Sequence, residues 1–268
     1  MTSVVLGAGG ERVVAWEVGV LAGLADECLD LRKAKTILGT SAGALVAARL
    51  ATGIDPRTDA ATHAARRPGA AQHPSSFFAK LGEAWETFGG SVTERRQALG
   101  AFAVKHSPGG EDEFVARTAA LLPAGRWPRA LRIVAIDAES GERVAFDRRS
   151  GVPLARAVAA SRAIPGLLPP VTIGDRRFVD GALGSATNAD LVDEYAIVIV
   201  PLPPRATNAV EALWLEALRT EVREGLVIDA GPADVAAMGP DPMSGASAPL
   251  AVAAGYARAA QISPRRAA

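Results

Sequence analysis

Ser41 stands in Gly39-Thr40-Ser41-Ala42-Gly43, a G-x-S-x-G pentapeptide. In that pattern a serine on a sharp strand-to-helix turn holds its hydroxyl above a sheet, where it is ready for nucleophilic attack, and small neighbours tolerate the strain. A helix starting at Ala42 would place free N–H groups and a positive end beside the oxyanion that attack creates. The same residues also read as a helix N-cap serine between two turn glycines.

Two further segments matter if Ser41 is a nucleophile. Gly7-Ala8-Gly9-Gly10-Glu11-Arg12 follows an apolar run and precedes a helical pattern. As a dinucleotide loop it is a poor match, because its third glycine is missing, although Asp26 and Asp30 lie at about the right distance for a ribose contact. As a source of backbone N–H groups for a carbonyl oxygen it is a better one, since glycines leave the approach clear. Asp180-Gly181-Ala182 follows Phe178-Val179 and reads either as a carboxylate at a strand end or as an Asp-Gly hairpin turn. The proton acceptor is the harder question. His63, His73 and His106 are the three histidines, none follows residue 106, and a triad ordered Ser, Asp, His is therefore impossible. These histidines are expected at the surface rather than in catalysis.

The elements that would position these groups follow from periodicity. Residues 3–6 form a short apolar run, and Trp16, Val20, Leu21, Leu24 and Cys28 recur at helical spacing within 15–29. Residues 36–38 lead into the pentapeptide, and 44–50 are strongly helix-forming. Two strand-turn-helix units predict an α/β fold with a mainly parallel sheet. Residues 54–128 have a different texture, with amphipathic pieces at 75–88 and 111–122, and read as a helical insertion. In the first piece Phe77, Phe78, Leu81, Trp85 and Phe88 share one stripe, which would either pack on the core or line an apolar mouth for aggregated substrate. Strands are expected at 131–136 and 143–146, at 171–179 around a Gly-Asp turn, at 195–200 and at 226–228. Helices are expected at 153–162, 210–223 and 250–260.

The 268 residues carry 29 basic and 29 acidic side chains, which removes the electrostatic footprint of a nucleic-acid binder. The single Cys28 excludes an intrachain disulfide framework and thiolate metal clusters. No basic n-region precedes the first apolar run, and no apolar window approaches the ~18 residues of a membrane span, so a cytoplasmic location is expected.

Together these blocks resemble the patatin-like phospholipase family, with its glycine-rich oxyanion loop, G-x-S-x-G and D-G-[GA] carboxylate. The resemblance is carried by residues 5–21, by Ile37-Leu-Gly-Thr-Ser-Ala-Gly-Ala44 and by residues 157–183, with Ala-Ser-Arg-Ala-Ile-Pro-Gly and Phe-Val-Asp-Gly-Ala. It implies a three-layer α/β/α sandwich, one domain over 1–268 with the insertion at about 54–128, and a Ser-Asp dyad that needs no histidine. By motif position Ser41 is the nucleophile and Asp180 the base. Gly9, Gly10 and Ala42 form the oxyanion hole, and Arg12 holds the loop or meets a substrate phosphate. Ala8 and Val13 depart from the family's glycines; Val13 is expected in ordinary helical backbone, leaving the hole intact. The implied activity is hydrolysis of lipid carboxylic esters through an acyl-serine, with no cofactor or metal, a lipid ester as partner and transient contact with a membrane surface. The alternative is a weak or inactive relative that binds a lipid or a partner protein through the same cleft.

Overall fold

The computed structural model describes residues 2–65, 76–193, 195–203, 205–206 and 208–262. Its strands are β1 (Ser3–Leu6), β2 (Ile37–Thr40), β3 (Leu131–Asp137), β4 (Arg143–Phe146), β5 (Val171–Ile173), β6 (Arg176–Asp180), β7 (Ala196–Ile199) and β8 (Gly225–Ile228). They form one sheet in the order β5-β6-β3-β2-β1-β7-β8, with β4 also paired to β3. The pairs β1–β2, β2–β3, β1–β7 and β7–β8 are parallel, while β3–β4, β3–β6 and β5–β6 are antiparallel.

The central strands are apolar at nearly every position because both faces are covered. Val4, Leu6, Ile37, Ile133, Phe178, Ile197 and Ile199 join one buried cluster, and the intervening Val5, Leu38, Val134 and Val198 join another. This period of two divides the helices into layers. The first face carries α1 (Glu11–Asp26), α2 (Ala42–Ala51), α7 (Leu154–Ser161) and α10 (Ala248–Ile262). The second carries α4 (Ser76–Phe88), α5 (Val92–His106) and α8 (Ala209–Glu221). The architecture is the expected α/β/α sandwich with a mainly parallel sheet.

The stretch 54–128 serves both layers. Within it, α3 (Pro56–Ala64) packs on α1, α6 (Glu111–Ala120) packs on α7, and α5 meets β3 and β6. Trp85 is buried with Leu99, Ala103, Ile136, Val179 and Leu183, whereas Phe88 is exposed. The side chains of Phe77 and Phe78, and all of His73, lie outside the described residues. The expectation of surface histidines is corrected at His63, which is buried on α3 with Nε2 3.6 Å from Asp59 Oδ1. The docking of α3 on α1 takes it out of water, and His106 stays exposed, its ring 4.8 Å from that of Phe102. The helix α9 (Pro232–Met238) was not anticipated, because seven residues are too few to show a period.

Helix α2 crosses the strands very closely. A methyl group at Gly43 would lie 2.2 Å from the Leu6 carbonyl oxygen, and one at Gly39 would lie 2.6 Å from that of Gly43. Backbone on backbone cannot relax as a side-chain tip does. Gly43→Ala is therefore expected to destabilise the protein by at least about 3 kcal/mol. Gly109→Ala, where a methyl group meets nothing within 4 Å, should stay within about 0.5 kcal/mol of wild type. Urea unfolding of the two variants is the check, and equal midpoints would show that the crossing is not tight.

Candidate active site

Ser41 lies between β2 and α2 with φ 54° and ψ −116°, one of three non-glycine residues with positive φ among the described residues. That conformation costs of order 1–3 kcal/mol and persists only where the surroundings impose it. Here Ser41 N–H donates to Ser161 Oγ at 2.9 Å, and Gly43 N–H donates to the Gly7 carbonyl at 2.9 Å. The elbow is thereby fastened to α7 and to the end of β1.

The Ser41 hydroxyl donates to Asp180 Oδ2 at 2.9 Å. Asp180 closes β6, so its residue pair is a strand-end carboxylate and not a hairpin turn. Its other oxygen, Oδ1, accepts the Ala182 N–H at 2.9 Å. Gly181 lets the chain turn beneath β3, since a methyl group there would sit 2.2 Å from the Val134 carbonyl oxygen. Burial pushes the Asp180 carboxyl up to about 7, against the lowering pull of the Ala182 amide, the Ser41 hydroxyl and the Arg162 guanidinium. Arg162 follows α7 and pairs with Glu11.

The glycine loop runs beside this pair. Gly9 has φ 155° and Gly10 φ 81°, and among the described residues nothing accepts a hydrogen bond from the N–H of Gly9, Gly10 or Ala42. Val13 lies in the first turn of α1 with its side chain buried, so the departure from glycine there imposes no positive φ. Arg12 is bonded to the segment 239–242, its guanidinium donating to the Gly239 carbonyl and its backbone N–H to that of Pro242 at 3.3 Å, and it also lines the cavity described below. Burial lowers its pKa, with Glu211 and Asp241 opposing.

Ser41, Asp180, Gly9, Gly10 and Arg12 line one cavity of about 600 Å3. Trp85 and Leu81 of α4, Leu99 of α5, and Leu213 and Trp214 of α8 supply apolar wall. The volume suits a ligand of drug size. Trp85 thus packs in the buried cluster, as the core reading of the stripe has it, and also lines the cavity.

Sequence reasoning gave no role to Glu17, whose fully buried carboxyl accepts the Gly7 N–H at 2.7 Å and is raised well above the usual range by desolvation. It also gave none to Ser161 or to the lining from 201–242. Ser161 lay within the Ala-Ser-Arg-Ala-Ile-Pro block; the apolar spacing of 210–223 identified a helix but not what it faces.

The family model described as patatin-like phospholipase matches residues 4–193. The chain belongs to this family. By structure the chain is similar to VipD from Legionella pneumophila, with a TM-score of 0.50 and 14% identity over 98% of this chain and 66% of that one. The type III effector ExoU gives a TM-score of 0.41 at 17% identity over 96% and 53%. Full-length ExoU in complex with full-length SpcU, from the type III secretion system of Pseudomonas aeruginosa, gives 0.42 at 18% over 100% and 53%. This patatin-like chain spans between about half and two thirds of the length of these proteins. No curated protein matches it by sequence. Among the described residues no helix is long and apolar enough to cross a membrane.

The raised Asp180 carboxyl makes a prediction about stability. Between its ordinary value of 3.8 and about 7 the folded state holds a proton that the unfolded state has lost, so this group's contribution falls as pH rises through that window. Asp180→Asn removes the effect. The stability of wild type minus that of Asp180→Asn should therefore decline by a few kcal/mol from pH 4 to pH 7 and then level off, as read by urea unfolding. A difference that is flat or rising over this range would show that Asp180 is not held neutral by burial.

Proposed function

We propose that the chain is a serine hydrolase of lipid carboxylic esters, of the phospholipase A, lysophospholipase or lipid acyl hydrolase type. It would work through a Ser41–Asp180 dyad within one patatin-like domain that carries 54–128 as an insertion. The observation that carries the reading is the 2.9 Å hydrogen bond from Ser41 Oγ to a buried carboxylate, at the floor of an apolar cavity.

In this mechanism Asp180 Oδ2 takes the hydroxyl proton as Ser41 Oγ bonds to the ester carbonyl carbon. The carbonyl oxygen becomes an oxyanion, which the N–H groups of Gly9, Gly10 and Ala42 receive, aided by the N-terminal end of α2. The carbonyl re-forms, the ester C–O bond breaks, and the alcohol leaves with the proton from Asp180. Water then attacks the acyl-serine, Asp180 taking its proton and returning it to Ser41 as the fatty acid departs. A base near 7 suits both halves, being strong enough to accept a proton yet able to return it at neutral pH.

The location of the histidines supports a dyad. Neither described histidine lines the cavity, and His63 is turned to Asp59.

Ser41→Ala is expected to abolish fluorophosphonate labelling and ester hydrolysis with the melting curve little changed, and Asp180→Asn to reduce turnover by about a thousandfold or more. Changing His63, His73 and His106 together to Gln should leave turnover within about threefold of wild type in folded protein. Substrates would be a short nitrophenyl ester and a panel of glycerophospholipids and lysophospholipids. Full labelling of Ser41→Ala would overturn the assignment.

A further inference from the structure

The position of Asp180 depends on residues beyond its own strand. Ala182 donates its N–H to Asp180 Oδ1 at 2.9 Å, and its carbonyl accepts the Trp214 indole N–H at 2.9 Å. The two peptide planes flanking the Ala182 Cα therefore each carry one bond, the first toward the carboxylate and the second from α8. The next carbonyl, that of Leu183, accepts Arg96 Nε from α5 at 2.6 Å. Arg96 is buried, and its guanidinium leaves no room at Gly184, where a methyl group would lie 2.8 Å from one of its terminal nitrogens. Two helices from opposite flanks of the chain thus grip two consecutive carbonyls just after Asp180.

We propose that Trp214 is a positioning residue for Asp180: its indole N–H fixes the loop that presents the Ala182 amide to the carboxylate, and Arg96 braces the following carbonyl. Trp214 also walls the cavity, so the loop beside the base is tied to a side chain that the acyl group would touch. The inference rests on the reading of Asp180 as base.

Trp214→Phe separates the two contributions, because it keeps an aromatic wall and removes only the donor. No charge changes around Asp180, which faces Ser41 from the elbow and Arg162 from the end of α7, the latter paired with Glu11 of α1. Arg12 of α1 and Glu211 of α8 line the same cavity, and Arg96 of α5 lies within electrostatic reach of Arg143, Glu221 and Asp190. A freer Ala182 amide stabilises the ionised carboxylate less, so the pKa of the base rises.

The test is the pH dependence of kcat and KM for a short soluble ester, with Leu213→Ala as comparison, since Leu213 lines the cavity from the same helix. Trp214→Phe should move the acid limb up by about half a unit to one unit and lower kcat at pH 6.5 by about 3- to 10-fold, with KM within about twofold. Leu213→Ala should raise KM for long-chain esters and leave the limb in place. Arg96→Lys, which keeps a cation but loses the Nε donor, should shift the limb in the same direction. Trp214 is only partly buried, and Phe is expected to fold there. A wild-type limb in folded Trp214→Phe, with Asp180→Asn inactive, overturns this inference and spares the dyad. An active Asp180→Asn overturns the dyad itself.

Discussion

The register of β2, β3 and β6 brings Ser41 and Asp180 together across 139 residues of chain. Thr40 pairs with Val134 on β3, and the next residue of β3, Ala135, pairs with Asp180. Ser41 therefore leaves β2 at the level of the sheet where β6 ends. Slipping β6 by one residue would turn its side chains to the opposite face, carrying the carboxylate away from the hydroxyl. That slip is resisted by ordinary apolar burial, with Phe178 committed to the cluster on one face and Val179 to the cluster on the other. Core packing and the geometry of the Ser41–Asp180 pair are thus one constraint.

The same fold buries a second carboxyl near the site, and the two differ in what offsets their burial. Glu17 has a single stabilising contact, the Gly7 N–H, against complete desolvation, so its carboxyl is raised well above the usual range while it holds the start of the glycine loop. Asp180 has the Ala182 amide, the Ser41 hydroxyl and the Arg162 charge to offset its burial, and these hold its pKa at about 7. Environment rather than residue type separates the two carboxyls.

Much of this could be read from the residues. The central strands β1, β2, β3 and β7 were legible because each is a short apolar run closed by turn residues or charge, and the flanking helices because their apolar spacing is regular. Ser41, Asp180, Gly9, Gly10 and Arg12 were singled out from motif order, and the structure gathers them at one cavity, with Ala42 opening the adjoining helix. The burial of His63 was hidden because α3 has almost no amphipathic pattern: its burial comes from docking on α1, a contact made between segments distant in sequence. The partners of Arg12 could not be read locally, because they are the carbonyls of Gly239 and Pro242, more than two hundred positions away. Side chains that act through tertiary contacts leave no local period to read.

That last class of contact divides the site into two parts with different origins. Ser41, Asp180 and the glycine loop all fall within residues 4–193, the stretch that matches the family, whereas Pro201, Leu202, Leu213, Trp214, Met238 and Pro240 lie beyond it and form much of the wall around them. The candidate site residues thus come from the stretch that matches the family, while the cavity wall is shared between that stretch and the residues beyond it. They are joined where Trp214 bonds the Ala182 carbonyl and where Pro242 and Gly239 receive Arg12. Replacing the later residues would reshape the cavity, and through these bonds it would also disturb the Asp180 carboxyl and the glycine loop. The shape of the cavity and the placement of Ser41 and Asp180 therefore cannot be varied independently in this fold.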